Sequence, residues 1–219
     1  MIQMPLFPLN TVLFPGTPLS LHVFEERYKL MIGRCIEANA PFGVVLIKSG
    51  SEVLGMGPSA IPRSIGCAAQ ILQAEPVGEG RMNITAIGQE RFRIVALHRD
   101  QPYLVGDVEM LPLPIDQPDA VKRQARRLRG WVERYVNLLA QTEKRPIDLK
   151  ALPHSSLAFT YSAALLLNTS LEQKQTLLAA PNALDLIEQV RKLYRTEVTL
   201  LQAMLREPKE VRVGPFSLN

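Results

Sequence analysis

Two short apolar runs near the start of the chain are delimited by prolines, which limit how this segment can fold. The runs are residues 6–9 and 12–14, with proline at positions 5, 8 and 15. Because proline lacks the N–H that a sheet ladder needs, we expect edge or bulged strands here rather than central ones. Pro15 and Gly16 form the residue pair of a type II turn, in which glycine tolerates the positive φ of the second position. The segment therefore predicts strands joined by a tight turn.

The hydrophobic pattern changes its period a few residues later. Residues 19–23 alternate between apolar and polar side chains, which is typical of a half-buried strand. From Phe24 the spacing becomes helical, and we expect one apolar stripe on a helix that follows the strand directly. The stripe contains Phe24, Tyr28, Met31, Ile32 and Cys35.

Strand-like runs separated by glycine or proline continue to about residue 113. The run 42–47 is almost wholly apolar, which predicts a strand buried on both faces. Glu79 and Gly80 are expected to form a hairpin turn. Further strands are predicted at 65–77, 82–87, 91–97 and 103–111.

A proline-rich joint at residues 112–118 separates this strand-like region from a second region. In the second region apolar residues recur every three or four positions, which is typical of helices. The spacing of Ser170 and Gln173 indicates a capping box. Because the loops are short, we expect a compact antiparallel bundle. The predicted domains are 1–113 and 119–206, followed by a tail, 207–219. Helices are predicted at 119–140, from Ser155 or Ser156 to 167, after Ser170, and from Asn182 to about 206.

Composition sets broad limits on function. Of 219 residues, 47% are hydrophobic and 21% are charged, which is ordinary for a soluble globular protein. The net charge of +4 permits an acidic partner without requiring nucleic acid. Two cysteines provide neither a disulfide framework nor a zinc quartet. Since no apolar stretch is long enough to span a bilayer and no signal peptide is recognised, we expect a cytoplasmic protein without membrane association.

No catalytic or metal-binding motif is recognised. Residues 55–60 have the outline of a dinucleotide-binding loop, but Pro58 and Pro62 would prevent the helix whose N–H groups bind the pyrophosphate. Ser59 has no lysine near it in sequence to act as its base. The three histidines are scattered along the chain. We therefore expect no enzyme, no cofactor and no metal site.

Several motifs together resemble the amino-terminal substrate-binding domain of Lon proteases. They are PLFPL, VLFPG and PLSLHVFEERY in the first 28 residues, then FGVVLI at 42–47, GQERFRIV at 88–95 and LEQKQTLL at 171–178. The resemblance covers nearly the whole chain. It implies an α+β fold in which a mainly-β, PUA-like pseudo-barrel with one helix precedes an all-α helical bundle.

The same resemblance implies a binding function. In Lon proteases this domain lies ahead of an ATPase module and a peptidase module and helps to recognise unfolded or damaged polypeptides. The sequence ends at Asn219 without either module, so it resembles the stand-alone relatives. We expect a non-catalytic polypeptide-binding module that acts as an adaptor or holdase in protein quality control, with a protease as a candidate partner. Its oligomeric state stays open.

Sequence-tolerant binding of a polypeptide favours exposed, adjustable apolar side chains. For two of the apolar candidates, Phe14 and Ile61, a place in the core is the favoured alternative. An edge strand at residues 5–9 that accepts an extended peptide is a second hypothesis. The candidates are Phe14, Met56, Ile61 and Met82, with Arg27 and Arg91 as a polar rim.

One face of the helix predicted at 119–140 is basic. Such a face can follow a phosphate backbone, and an RNA-binding protein with a PUA-like barrel is therefore the alternative function. Because Trp131 and Tyr135 lie toward the apolar side of this helix, no aromatic residue is interleaved with the cations on the basic face. A solvated face or a docking surface for an acidic protein is therefore favoured over nucleic acid. The cations are Lys122, Arg123, Arg126, Arg127, Arg129 and Arg134.

Overall fold

The fold combines a ring of strands with a group of helices that follows it in the chain. The computed structural model describes residues 1–51, 59–143 and 148–206, so the predicted tail and residues 55–58 of the glycine-containing loop lie outside the described residues. The strands are β1 (Ile2–Leu9), β2 (Pro18–Val23), β3 (Phe42–Ser49), β4 (Ile61–Pro62), β5 (Ile65–Pro76), β6 (Met82–His98) and β7 (Leu104–Met110). The helices are α1 (Glu26–Glu37), α2 (Pro118–Glu143), α3 (Ser156–Leu166), α4 (Leu171–Leu178) and α5 (Ala183–Arg206), with a 3₁₀ turn at Leu149–Ala151. The predicted α+β class is confirmed.

Five strands close into a ring in the order β1, β7, β6, β5, β3 and back to β1. β1 pairs with β7 over Ile2–Leu6 and, in parallel, with β3 over Leu6–Leu9. Among the described strands residues 7–9 pair with β3 alone, so an edge that accepts a peptide within residues 5–9 stays a hypothesis. Pro5 and Pro8 each lie in a half of β1 that pairs on one side only, so the missing N–H need not interrupt a ladder.

β6 is one continuous strand of 17 residues, whereas the sequence predicts two strands separated near Gly88. The glycine is needed because a Cβ there would collide with the carbonyl oxygen of Phe14. The predicted type II turn packs at this point: Gly16 has φ +73°, and its N–H donates to the Gly88 carbonyl at 2.8 Å. The first half of β6 lies between β2 and β5. The second half pairs with β7, and its pairing with β5 ends at Arg93.

Two other local predictions in the ring are confirmed. Residues 42–47 of β3 are buried, as the apolar run predicts. Glu79 and Gly80 form the hairpin turn between β5 and β6, with φ values of 53° and 69°. These are features that neighbouring residues determine, so the sequence alone is enough to find them.

α1 packs against the ring through four of the five residues of the predicted stripe. Tyr28, Met31, Ile32 and Cys35 are buried, and the Tyr28 ring stacks on Phe7 with centroids 3.9 Å apart. Phe24 was expected on this stripe, but it precedes the helix and is 51% exposed. The helix begins later than the apolar spacing predicts because Glu25 is its extended N-cap residue.

The helical part has its own core and the predicted caps. The Ser170 side chain accepts from the Gln173 N–H in a capping box, and Asn182 Oδ1 accepts from the Asp185 N–H at 2.9 Å. Both caps are confirmed. The core is formed mainly by α2, α3 and α5, and the Tyr194 hydroxyl donates to the carbonyl of Ala163 at 2.8 Å.

The two longest helices run in the same direction, so the predicted antiparallel bundle is wrong for this pair. Where they begin, the Ala183 N–H donates to the Pro114 carbonyl at 2.9 Å. Further along, Arg191 Nη1 donates to Gln124 Oε1 at 2.8 Å. The polypeptide between α2 and α5 contains α3 and α4, and this long connection brings the chain back to the starting end.

The ring and the helices share one apolar cluster, which includes Leu46 of β3 and, from the segment between β1 and β2, Val12 and Phe14. The rings of Phe14 and Tyr161 stack with centroids 5.9 Å apart. Gln175 Nε2 donates to the carbonyl of Ile65 at 3.0 Å. The two parts are therefore packed against each other; the domain boundary at 112–118 stays a prediction.

Arg91 makes the most extensive polar contact between the two parts. It lies on β6 and is 2% exposed. Its Nη1 donates to the carbonyls of Leu178 and Ala180 at 2.8 and 2.7 Å, and its Nε donates to the carbonyl of Leu111 at 3.2 Å. The guanidinium thus satisfies carbonyls at the end of α4, where the helix dipole is negative.

We expect Arg91→Ala to lower the free energy of unfolding by about 3 kcal/mol, because it leaves buried carbonyls without donors. Chemical denaturation of the purified protein measures this value. Arg93→Ala, an exposed position on the same strand, is the matched control and should change stability by less than about 0.5 kcal/mol. Equal stabilities for the two variants would contradict this account of the interface.

The two cysteines provide a second test of the ring core. Cys35 and Cys67 are buried, and burial raises their pKa values to about 11 and about 12. Because the thiolate is the reactive form, we expect neither thiol to react with an aromatic disulfide reagent at mildly alkaline pH. Both should react after unfolding in guanidinium chloride. Rapid reaction of either thiol in the folded protein would contradict the described packing.

Candidate functional site

An apolar cleft lies beside β2, where the sheet is interrupted. β7 pairs with β1 only as far as Leu6, and within the described ranges β2 pairs with β6 alone. The outer edge of β2 and the last residues of β1 therefore border the cleft without a strand between them. Its volume is about 140 Å³, close to that of apolar cavities that hold a benzene molecule. The cleft thus has room for one apolar side chain.

The floor of the cleft is fixed and its upper wall is exposed. Phe7 and Tyr28 stack in the floor, and Val23 is 1% exposed at the end of β2. Phe24 follows on the short link to α1, and its ring stacks against His22 with centroids 6.0 Å apart. The alternation of β2 places Val23 inside and leaves Phe24 half in solvent, because the helix starts only after Glu25. This sequence of elements presents an aromatic side chain over a rigid apolar floor.

Charges at the rim of the cleft are balanced. Arg27 Nη2 lies 3.0 Å from Glu25 Oε2, and the Arg27 guanidinium lies 4.4 Å from the centroid of the Tyr28 ring. A rim that holds both signs of charge does not select strongly for the charge of a ligand.

The structure separates the predicted binding residues. Phe14 and Arg91 are buried between the ring and the helices, so the hypothesis that they offer exposed surface to a polypeptide is wrong. For Phe14 the burial agrees with the alternative of a place in the core. Ile61 is 51% exposed, but it lies on β4, which pairs with β3. Met56 lies outside the described residues.

None of the predicted residues in the described ranges is among those that line the cleft. Arg27 lies at its rim through the ion pair with Glu25, and Met82 is half-buried on β6, opposite Val23 and on the paired side of β2. Phe24 was missed as a binding candidate because its spacing from Tyr28 fits a helical stripe. The two carboxylates that follow Phe24 are a signal that the helix begins after it, since acidic residues favour the first turn.

Histidine, cysteine and carboxylate side chains are dispersed over the described residues. Among them, no cluster of three or more His, Cys, Asp and Glu side chains is close enough to hold a metal ion. His98 Nε2 lies 2.8 Å from Asp107 Oδ2, and this hydrogen bond holds the pKa of Asp107 below its usual range. The pocket beside His98 is lined by no serine or cysteine. Ser59 is exposed and forms an isolated bridge with Ser51. No described helix has an apolar stretch long enough to cross a bilayer.

The predicted basic face is present on α2, and its members differ in environment. Arg129 is half-buried, with its guanidinium 4.1 Å from the centroid of the Phe159 ring and a hydrogen bond to the Pro153 carbonyl at 3.1 Å. Arg134 lies 5.1 Å from the centroid of the Trp131 ring. The remaining four cations of the face are exposed. Binding of RNA to this face stays a prediction.

Comparison with known proteins gives one consistent family. A family profile described as the ATP-dependent protease La (LON) substrate-binding domain matches residues 3–195. Lon protease 1 of Hydrogenovibrio crunogenus is 25% identical over 210 residues, which cover 93% of this chain and 25% of that protein. The chain therefore spans about a quarter of the length of this relative.

Solved structures show the same fold. The Lon N-terminal domain protein from Xanthomonas campestris superposes with a TM-score of 0.58 at 24% identity, over 95% of this chain and 100% of that chain. The N-terminal domain of Mycobacterium avium complex Lon protease superposes with a TM-score of 0.65 at 16% identity, over 89% of this chain and 98% of that chain. The arrangement of a strand ring followed by helices is thus shared with both.

Proposed function

The chain belongs to the family of ATP-dependent protease La (LON) substrate-binding domains, and from that membership we propose that it binds unfolded or damaged polypeptides through the cleft beside β2. The single observation that carries this proposal is the exposed Phe24 ring above a buried apolar floor, next to a strand edge that no described strand covers. Each of these features supplies one part of the binding.

Apolar contact supplies the affinity. A folded protein hides most of its large apolar side chains, whereas an unfolded one presents them to solvent. One such side chain can enter the cleft and bury the free half of Phe24. Full burial of an aromatic side chain contributes about 1.5–3 kcal/mol, so a single insertion gives weak, reversible binding. This suits a protein that must release what it holds.

Backbone pairing supplies tolerance for many sequences. An extended polypeptide can add to the outer edge of β2 through its main-chain N–H and C=O groups, which every sequence contains. The balanced pair of Arg27 and Glu25 at the rim adds no strong preference for charge. The cleft then selects only for an apolar side chain at one position of the strand.

Binding of this kind requires no catalysis and no nucleotide. We therefore propose a non-catalytic role in cytoplasmic protein quality control, as a holdase or as an adaptor that brings polypeptides to a protease. The name of the family, a substrate-binding domain of a protease, supports the adaptor role, and the reversible cleft is compatible with both roles.

We expect Phe24→Ala to weaken binding of a fluorescently labelled, permanently unfolded α-lactalbumin by about tenfold, since about half of the aromatic surface is available for burial. Fluorescence anisotropy measures the dissociation constant. Leu200→Ala, which removes a comparably exposed apolar side chain from α5, is the matched control and should bind like the unmodified protein. An unchanged dissociation constant for Phe24→Ala would remove the cleft from the proposal.

Strand addition can be tested by changing the backbone of the ligand. An extended peptide with one leucine should bind, and the same peptide methylated on successive backbone nitrogens should lose most of its affinity, because methylation removes the N–H donors while it keeps the side chains. Competition against the labelled α-lactalbumin measures both peptides. If the methylated peptide competes equally well, apolar contact alone accounts for binding.

A further inference from the structure

A second groove lies between the first halves of α2 and α3, on the helical part of the molecule. Its volume is about 510 Å³, and its apolar surface includes Ile115, Val121 and Leu157. We infer that this groove binds an acidic polypeptide segment that carries an aliphatic side chain between its carboxylates. The site is separate from the cleft beside β2 in position and in charge.

The positive charge of the groove comes from three cations on one face of α2. Lys122, Arg126 and Arg129 are spaced at i, i+4 and i+7, so they follow one another along the wall of the groove. No aspartate or glutamate is among the described residues that line it. Within the described part of the chain, Lys122 and Arg126 form no salt bridge. Their charge is therefore available to a ligand.

Arg129 is already held in place. Its guanidinium covers the Phe159 ring and donates one hydrogen bond to the carbonyl of Pro153, on the segment that leads into α3. A planar guanidinium that is immobilised in the free protein loses little side-chain entropy when it binds a carboxylate. It presents a fork of donors that matches both oxygens of that group.

The start of α3 adds to the positive potential. Ser155 and Ser156 line the groove, and the Ser155 side chain forms no capping hydrogen bond. The first N–H groups of a helix carry partial positive charge, which here adds to the charge of the α2 side chains. His154 lies beside them at the surface.

The apolar part of the groove favours a polypeptide over a nucleic acid. Single-stranded nucleic acids bind where aromatic rings are free to stack on bases. Phe159, the aromatic residue that lines this groove, is 1% exposed beneath Arg129. Ile115, at 45% exposure, instead offers contact to an aliphatic side chain. Carboxylates on either side of that chain would meet Lys122 and Arg126.

The test is binding of a fluorescein-labelled 12-residue peptide of alternating glutamate and leucine. We expect measurable binding that weakens as salt concentration rises, and a loss of at least tenfold in the variant Lys122→Glu, Arg126→Glu. The variant Arg123→Glu, Arg127→Glu makes the same change in net charge on the same helix, at exposed positions that do not line the groove. It should bind within about threefold of the unmodified protein.

Three results would overturn the inference. They are no binding by the unmodified protein, equal loss in the two double variants, and tighter binding of an oligouridine of equal length than of the peptide. The Phe24→Ala variant should bind the acidic peptide normally. Failure at this groove is therefore distinguishable from failure at the cleft beside β2.

Discussion

The buried guanidinium of Arg91 is the contact on which the relation between the ring and the helices depends. It has three carbonyl acceptors, one on Leu111 directly after β7 and two where α4 ends. Burying a neutral carbonyl acceptor costs less free energy than burying a charged carboxylate. The contact therefore stabilises the packing of the two parts without the desolvation of a second charge. Gly88 lies three residues before Arg91, and its carbonyl accepts a hydrogen bond from the Gly16 N–H. Gly16 belongs to the turn that places Phe14 in the shared apolar cluster. The middle of β6 thus organises both halves of the molecule.

The length of β6 also explains why the cleft exists. One strand of 17 residues pairs with β2 at its start and with β7 at its end, and these two partners leave an interruption between β2 and the end of β1. α1 covers the interior of the ring through Tyr28 but begins too late to bury Phe24. An exposed aromatic ring and an uncovered strand edge are therefore consequences of how the ring closes. The proposed binding surface is thus formed by the same contacts that stabilise the fold.

The sequence was informative where neighbouring residues decide the structure. The turn at Pro15 and Gly16, the capping box at Ser170 and the buried strand at 42–47 each depend on a few adjacent residues, and each was predictable. The burial of Arg91 and the common direction of α2 and α5 depend on partners about 60 to 90 residues away, so no local pattern contains them. The candidate site was predicted only in part for the same reason. Arg27, a predicted residue, lies at its rim. Phe24 fits a helical stripe in the sequence, and its exposure is recognisable only once the start of α1 is known.

The central claim is that an unfolded polypeptide binds as an added strand beside β2 and places a side chain against Phe24. Hydrogen–deuterium exchange of the protein with and without an unfolded client tests this most directly, because a strand that gains a partner protects its amide hydrogens. The account predicts new protection in β2 and in the link that contains Phe24, with no change in α5. Protection confined to the helices, or absent from β2 when the client is bound, would contradict it.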